Sequence, residues 1–400
     1  MLKLFSWQFY TFRNYGDLIL DEAVRYLFHS FGQRKYFRLT DGADLRYPIG
    51  PRLVEHANKF DARLVAGGGL LYPRNHETSG WTFNCSTRLM RKMERTVIFA
   101  VGYNVYKRNN TFSKVFKENF EALLERTVFT GLRNNGSIEK VKESVDKRFH
   151  SNIYLQPCPT TFIRHLVAEF DPERVPAKAK KVVLQITLGG SDPDSERISR
   201  NVLAACLDLR RRGYEISIAS FFDIFDEKIV NYLRNNGFDD FSYVKMDTGG
   251  QDVLKGPRYF SGQPLVVSTR GHGAMVPFGS GSAVIPVNVA PKVVYFANDS
   301  GLGDHVVDIE SKTLSADLVS KVEQFYSQYE EIQEVSQSKR REFYEITLEN
   351  LSRIYFTLTG EAVKEKECLP LSELEVFLSG RLHAKTVKLE GVTRNPDLKK

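Results

Sequence analysis

Short apolar runs that end near glycine alternate along the chain with segments whose apolar residues recur every three or four positions. The short runs predict buried β-strands, which are Leu2–Phe9, Arg63–Ala66, Thr96–Val101, Thr127–Thr130, Val182–Leu188, Ile216–Ser220, Leu265–Ser268 and Ala283–Val287. The periodic segments, such as SKVFKENFEALLER and DEKIVNYLRNNG, predict amphipathic helices. This alternation is typical of α/β folds, in which helices cover both faces of a parallel sheet.

The pattern breaks at Glu169–Lys181, where EFDPERVPAKAKK combines prolines with many charges and has no apolar periodicity. Such a segment is typical of a linker, and a second series of strand–helix units follows it. We therefore predict two Rossmann-like lobes, over residues 1–170 and 181–312. Helical periodicity then predicts C-terminal helices over 313–360, and a charged, weakly periodic polar tail remains at 361–400.

Composition limits the classes of protein that fit this pattern. With 400 residues, of which 42% are apolar, the chain can bury the cores of two lobes. Lys and Arg (56) exceed Asp and Glu (49), and the net charge of +7 suits an anionic ligand but is too small for a typical nucleic-acid-binding protein. No apolar run approaches the roughly 18 residues of a membrane helix. A charged residue also interrupts the first segment too early for the apolar region of a secretory signal. We expect a cytoplasmic globular protein.

The four cysteines, Cys85, Cys158, Cys206 and Cys368, are scattered and form no CxxC pair. They predict reduced thiols rather than a disulfide framework or a zinc site. Histidines and carboxylates also fail to cluster with them at the spacing of metal ligands, so we expect no tightly held metal.

The strongest candidate chemistry follows the strand predicted at Leu265–Ser268. Arg270 and His272 lie just beyond its carboxyl end, where doubly wound domains bind their ligands. Gly271 and Gly273 would let the backbone approach a bound group, and the helix that starts here would add a partial positive charge. Arg270 suits a carboxylate or phosphate, and His272 can exchange a proton near neutral pH. The alternative is a paired arginine and a structural histidine.

Three more predicted strand ends carry suggestive residues. Asn14, Gly16 and Asp17 stand between the first strand and the first helix, where Gly16 would admit a ligand, although Asn14 or Asp17 could simply cap the helix. The glycine turn Gly67, Gly68 and Gly69 could bring backbone amides against an anion or a sugar, but it is neither a Walker loop nor GxGxxG. Arg133 follows the fourth strand and could be a second anion ligand or a surface arginine.

In this order and spacing the motifs resemble the polysaccharide pyruvyl transferase family. The matching elements are Asn-Tyr-Gly-Asp at 14–17, Gly-Gly-Gly-Leu at 67–70, Gly-Leu-Arg…Ser at 131–137 and Arg-x-His at 270–272. The resemblance runs from about residue 8 to 295 and includes Lys292, because the family often has a lysine after its last strand. Two departures are Gly271, where many members have leucine, and Ser280–Val284, which lacks the common Gly-x-Pro.

The resemblance implies a GT-B-like fold and the transfer of pyruvate from phosphoenolpyruvate to two hydroxyls of a sugar, forming a cyclic ketal in surface polysaccharide or exopolysaccharide (capsule) biosynthesis. No separate cofactor is implied. The donor carries a carboxylate and a phosphate, which Arg270 and Arg133 would bind, and its methylene must be protonated, which we assign to His272. Asn14, Gly16, Asp17, the two glycine groups and Lys292 would complete the substrate site.

The resemblance also implies a sugar or lipid-linked oligosaccharide acceptor on the first lobe, which fits peripheral association with the inner membrane face. Tyr72, Trp81 and Tyr103 could stack on the sugar or belong to the core. Two other functions stay open. A GT-B nucleotide-sugar glycosyltransferase would need carboxylates such as Asp304 and Glu310, and a non-catalytic protein could bind anionic glycan.

Overall fold

A computed structural model of the chain describes residues 1–9, 14–73, 78–105, 112–188, 193–246, 249, 252–370 and 372. Within these residues the chain forms two α/β lobes, each built on a six-stranded sheet, followed by C-terminal helices. The predicted fold class of two Rossmann-like lobes with parallel sheets is therefore confirmed.

The sheet of the first lobe is parallel throughout its described pairings. Its strands are β1 (Leu2–Gln8), β2 (Phe37–Asp44), β3 (Ala62–Leu71), β4 (Thr96–Tyr103), β5 (Thr127–Leu132) and β6 (Ile153–Leu155). They lie in the order β2-β1-β3-β4-β5-β6. The direction of winding reverses between β1 and β3, and such a reversal opens a crevice at the carboxyl ends of the strands.

The second lobe repeats this design with a second parallel sheet. Its strands are β7 (Lys181–Gln185), β8 (Glu215–Ser220), β9 (Ser242–Lys245), β10 (Leu265–Ser268), β11 (Ala283–Asn288) and β12 (Val307–Asp308). Their order is β12-β11-β10-β7-β8-β9, so the reversal lies between β7 and β10. Arg270 and His272 follow β10 and therefore stand at the crevice of this lobe.

Helices cover the sheets and connect their strands. They are α1 (Tyr15–Arg34), α2 (Pro51–Ala57), α3 (Thr87–Met90), α4 (Lys114–Leu124), α5 (Asn135–Ser144), α6 (Pro193–Arg211), α7 (Asp223–Asn235), α8 (Lys255–Phe260), α9 (Gly271–Gly279), α10 (Pro291–Asp299), α11 (Leu314–Ser327) and α12 (Tyr329–Thr359). Short 3₁₀ segments occur at Lys147–Asn152, Pro159–His165 and Gly303–His305. In α4, for example, Ser113 caps the first turn, and Phe116, Phe120 and Leu123 form the buried stripe that the periodicity predicts.

Four strands were not predicted: β2, β6, β9 and β12. β2 lies at the edge of its sheet, and polar residues and a glycine interrupt its apolar pattern. β6 and β12 contain three and two residues, which is too short for a periodicity to register. β9 lies at the edge of its sheet, and both of its terminal residues are polar and exposed.

The long helix α12 joins the two lobes. Arg95 of the first lobe donates a hydrogen bond to the Leu358 carbonyl, and Arg340 donates to the Phe278 carbonyl in the second lobe. Gln156 and Thr347 add a buried hydrogen bond near the middle of the helix. Among the described residues, no helix is long and apolar enough to cross a membrane.

Candidate active site

The N-terminus of α1 inserts into the second lobe and brings the two predicted motif regions together. The backbone N–H of Tyr15 donates to the Phe221 carbonyl (2.8 Å), and the Tyr15 hydroxyl donates to the Val253 carbonyl (2.6 Å). The same hydroxyl accepts from the Gly256 N–H at 3.0 Å. These bonds hold Asn14, Gly16 and Asp17 against the carboxyl ends of the second-lobe strands.

Asn14 is the N-cap of α1, as one of the two sequence interpretations proposed. Its Oδ1 accepts from the Gly16 N–H at 3.2 Å, and its Nδ2 donates to Asp17 at 2.7 Å. The same Oδ1 also lies 3.5 Å from Nη1 of Arg270. Asn14 therefore caps the helix and also positions side chains from both lobes.

Gly16 admits the His272 side chain rather than leaving open space for a ligand. A Cβ on Gly16 would stand 2.4 Å from the Cβ of His272 and 2.9 Å from its Nδ1. Real side chains do not approach so closely, so only glycine allows α1 and α9 to meet at this point. The predicted contact of Gly16 with a substrate stays a prediction.

Replacing Gly16 with alanine is expected to displace His272 and to lower both stability and activity. Alanine favours a helix by about 1 kcal/mol over glycine, but the overlap with the His272 Cβ should cost about 1–3 kcal/mol. Thermal unfolding and turnover of the variant test this expectation. Gly50→Ala is the matched control, because nothing lies within 4 Å of a Cβ there. Equal stability and turnover in both variants would contradict it.

His272 lies between a carboxylate and a thiol. Its Nδ1 is 3.4 Å from Oδ1 of Asp17, its Nε2 is 4.0 Å from Sγ of Cys158, and 10% of the side chain is exposed. Burial acts to lower the pKa of His272, but the hydrogen bonds with Asp17 and Cys158 outweigh it and raise the pKa above its ordinary value. The contacts with Asp17 and Cys158 therefore favour the protonated form of the ring, which is the form that can act as an acid.

The pKa values of Asp17 and Cys158, the two partners of His272, shift in the opposite direction to that of the histidine. Burial acts to raise the pKa of Asp17, yet the hydrogen bond from His272 and the charges of Arg270 and Lys292 hold it below the ordinary value. Burial likewise acts to raise the pKa of Cys158, and hydrogen bonds from His272 and Thr160 lower it. The sequence around Cys158 predicts only a reduced thiol. The structure places it beside the candidate acid.

Arg270 reaches across the crevice of the second lobe. Its Nε donates to Thr187 and lies 3.6 Å from the buried carboxylate of Asp226, and its guanidinium sits 5.5 Å from the ring centroid of Phe222. Asp226 in turn accepts from the backbone N–H groups of Phe221 (2.8 Å) and Phe222 (3.0 Å). Asp226 therefore orients the guanidinium and already has other donors. Among the described residues, Nη2 of Arg270 has no protein partner.

Arg133 and Lys292 complete what we call the cationic cluster, which comprises Arg133, Arg270 and Lys292. Arg133 follows β5, is only 7% exposed, and packs where a Cβ on Gly102 would lie 2.0 Å from its Nε. Nζ of Lys292 donates to Asn104 at 2.8 Å. Burial, and the nearby charges of Arg133 and Arg270, lower the pKa of Lys292 to about 7, against the opposing effect of Asp17. The cluster therefore concentrates positive charge contributed by both lobes.

The other predicted glycines have structural neighbours. A Cβ on Gly273 would lie 2.2 Å from Oε1 of Gln185, and one on Gly271 would lie 3.3 Å from Cε of Met275. Gly273 thus permits the first turn of α9 to pack against β7. Gly271 lies beside Lys292, whose side chain would be 3.9 Å from the added Cβ. Their predicted roles in binding substrate stay predictions.

The triple glycine lies within a strand, so the prediction of a turn after a strand is wrong. β3 continues to Leu71, with φ of 51° at Gly67 and 94° at Gly68 and a register shift before Leu71 pairs with Tyr103. These left-handed conformations bend the strand without ending it, which glycine tolerates. The bulge at Gly67–Gly69 forms one wall of a cavity of about 310 Å³.

Of the three aromatic candidates for sugar stacking, one lines the cavity and two pack against other side chains. Tyr72 lines the cavity. Trp81 is fully buried, and its Nε1 donates to Asn119 at 2.7 Å, so it belongs to the core. Tyr103 is 8% exposed and packs edge-on against Phe112.

The arrangement can bind a small, doubly anionic ligand and protonate it. The cationic cluster provides three basic side chains, the N-terminus of α9 adds backbone donors, and the raised pKa of His272 favours the imidazolium. Asp226, Asn104 and Cys158 were not found by sequence reasoning. Asp226 resembles an ordinary first-turn acid of α7, and Cys158 follows the unpredicted strand β6.

Comparison with known proteins identifies the family and the fold. A sequence model of the family described as polysaccharide pyruvyl transferase matches residues 14–291. No curated relative matches the chain.

Solved structures with the same two-lobed fold include S. aureus MnaA with UDP, at a TM-score of 0.56 and 7% identity over 90% of this chain and 99% of that one. A glycosyltransferase from Rickettsia africae ESF-5 aligns with a TM-score of 0.54 and 11% identity over 90% and 99% of the two chains. TarM aligns with a TM-score of 0.45 and 13% identity over 76% of this chain, which spans 57% of TarM. The first two likenesses show a GT-B fold, as the sequence analysis expected.

Proposed function

The chain belongs to the polysaccharide pyruvyl transferase family, and from this premise we propose that it transfers pyruvate from phosphoenolpyruvate to two hydroxyls of a sugar, forming a cyclic ketal and releasing phosphate. The observation that carries the proposal is the cationic cluster, which gathers beside His272 from both lobes. A donor with a carboxylate and a phosphate needs several cations in one place, and a buried cluster of like charges is costly without an anion.

In this proposal each group has a distinct task. The guanidiniums of Arg270 and Arg133 bind the carboxylate and the phosphate. Lys292 adds a third positive charge, which continues to stabilise the phosphate as it leaves. The His272 imidazolium gives its proton to the methylene carbon, which makes the neighbouring carbon electrophilic. Asp17 and Cys158 hold the ring in place and favour its protonated form.

The glycosyltransferase alternative has less support from the site. Glu310 is exposed and pairs with Arg197 at 3.4 Å, and Asp304 lies in a 3₁₀ turn. The carboxylate that chiefly shifts the pKa values of Lys292 and His272 is instead Asp17. The carboxylates that this alternative would use are therefore not part of the cationic cluster.

A panel of nitrophenyl sugars incubated with phosphoenolpyruvate tests the proposal. We expect inorganic phosphate to appear only when a suitable sugar is present, and that sugar to gain the mass of a pyruvyl ketal. Hexosyl transfer from a nucleotide sugar would favour the glycosyltransferase. Glycan binding without any phosphate release would favour the non-catalytic alternative.

Lys292 predicts that donor affinity depends on pH. Since the pKa of Lys292 is about 7 in the free protein, the lysine loses its proton as the pH rises from 7 to 9. If the bound donor keeps it charged, the dissociation constant should increase by up to roughly tenfold per pH unit. Calorimetric titration with phosphoenolpyruvate measures this increase.

Lys292→Met should bind phosphoenolpyruvate more weakly at pH 7 and lose most of this pH dependence. Lys339→Met is the control, because Lys339 pairs with Glu342 on the surface of α12. A wild-type affinity that stays constant from pH 7 to 9 would show that Lys292 does not hold the donor.

A further inference from the structure

The cavity of about 310 Å³ lies where the winding of the first-lobe sheet reverses between β1 and β3. Its walls are the end of β1, one face of α1, the glycine bulge at Gly67–Gly69 and Asn104. Two of its residues lead directly to the candidate catalytic groups, because Asp17 contacts His272 and Asn104 accepts from Lys292. The volume lies at the lower end of ligand pockets, which start at about 300 Å³, and so suits a single sugar ring.

Asp21 lines this cavity, and no contact with a described residue of the lobe accounts for its buried carboxylate. It stands one helical turn after Asp17, so both carboxylates project from the same face of α1. Its Oδ1 is inaccessible to solvent and accepts no hydrogen bond from the described residues. A buried carboxylate oxygen without a donor is costly in a folded protein, and a hydroxyl bound in the adjoining cavity would supply the missing donor.

The charged neighbours of Asp21 do not neutralise it by direct pairing. On α1, Arg25 forms its ion pair with Glu22 instead. Across the cavity, β1 and the glycine bulge present neutral groups, and the titratable residue there is Tyr72. Burial raises the pKa of Asp21 to about 7; Arg25 opposes the shift and Glu22 adds to it. The carboxyl therefore changes charge near neutral pH, as a general base should.

Ketal formation needs two proton acceptors. The methylene of the donor gains one proton, and both sugar hydroxyls lose theirs. Each hydroxyl oxygen forms a bond to the same donor carbon, and the carbon–oxygen bond to phosphate breaks with its electron pair going to phosphate. Of the two hydroxyl protons, one replaces the proton given to the methylene and the other leaves with phosphate, so the reaction balances without water or a redox partner.

We propose that the cavity is the acceptor-sugar site and that Asp21 binds one sugar hydroxyl there and accepts its proton during ketal formation, an inference that rests on the proposed pyruvyl transfer. Asp17 is a poorer candidate for this step. It already bonds to Asn14 and His272, and those contacts hold it ionised and weakly basic. Asp21 has the unused acceptor capacity that a hydroxyl requires.

The test compares wild type with Asp21→Asn and with the control Asp208→Asn. Asp208 lies on α6 of the other lobe and pairs with Arg212. The substrates are phosphoenolpyruvate and the nitrophenyl hexoside that gives the fastest phosphate release. We expect Asp21→Asn to bind phosphoenolpyruvate as the wild type does, while turnover falls about 10²–10⁴-fold. Its rate should also lose the increase that ionisation of Asp21 produces as the pH rises through 7. Asp208→Asn should retain wild-type values.

Turnover of Asp21→Asn within threefold of wild type, with the same pH dependence, would overturn the inference while leaving the proposed transfer intact. Loss of folding is tested by thermal unfolding, and the amide is expected to be tolerated because it removes a buried charge.

If the wild type releases no phosphate with any sugar, the proposed transfer fails, and the acceptor site is then tested by binding alone. Saturation-transfer NMR with the same nitrophenyl hexosides should show contact with the wild type and weaker contact with Asp21→Asn. Equal signals from the two proteins, or none from the wild type, would overturn the assignment of the cavity.

Discussion

Replacing His272 with glutamine is expected to lower turnover by about 10²–10⁴-fold while changing phosphoenolpyruvate affinity only severalfold. Glutamine can keep a hydrogen bond to Asp17 but cannot deliver a proton to carbon. The contacts that hold the donor belong to the cationic cluster, so binding should survive. Single-turnover phosphate release and calorimetric binding of phosphoenolpyruvate separate the two effects.

The pH profile gives a second test of the same residue. Because the pKa of His272 is raised, the imidazolium persists above the ordinary histidine range, and the rate should fall only as the pH rises through that raised value. His56→Gln is the matched control, since His56 is half exposed and pairs with Asp41 on the first lobe. A His272→Gln enzyme that turns over like the control would exclude His272 as the acid.

Replacing Arg270 with methionine is expected to weaken phosphoenolpyruvate binding roughly ten- to a hundredfold, since a hydrogen bond to a charged group contributes about 1.5–3 kcal/mol. The affinity of Arg270→Lys for phosphoenolpyruvate should lie between those of the wild type and Arg270→Met, because lysine keeps the positive charge but lacks the planar guanidinium. Equilibrium binding of phosphoenolpyruvate to the three proteins measures the series.

Two controls separate lost binding from lost structure. Arg212→Met removes an exposed arginine that pairs with Asp208 and should leave binding unchanged. Asp226 retains its bonds from Thr187, Phe221 and Phe222 when Arg270 is absent, so the variant should unfold cooperatively like the wild type. A folded Arg270→Met protein with wild-type affinity would show that the donor does not contact this guanidinium.

The sequence predicted the site best where a clear apolar strand pattern is followed directly by polar residues. The strand β10 was predicted with its observed bounds, and Arg270 and His272 follow it as expected. Arg133 was found in the same way, because it follows a predicted strand and parallel sheets bring the carboxyl ends of their strands to one edge. Lys292 was identified only through the resemblance to the family. Short and edge strands such as β6 and β2 carry too little pattern to be predicted.

The parts of the site that were missed depend on contacts between distant segments. No local pattern distinguishes Asp226 from a helix-start acid or Cys158 from a core thiol. Their importance comes from packing against Arg270 and His272. The sequence indicated that Gly16 leaves room beside the start of α1, but it could not show that the side chain of His272 occupies that room. Asp21 left a usable signal, since it repeats Asp17 after one helical turn next to a strand end.

The stoichiometry of donor consumption tests the whole account most directly. With phosphoenolpyruvate and an active nitrophenyl sugar, we expect one inorganic phosphate for each acceptor molecule that gains a pyruvyl ketal, measured by phosphate assay and mass spectrometry on the same samples. That ratio would mean that the pyruvyl group of phosphoenolpyruvate is transferred to the sugar as its phosphate is released. Phosphate freed at the same rate without sugar, or an acceptor that grows only from a nucleotide sugar, would contradict it.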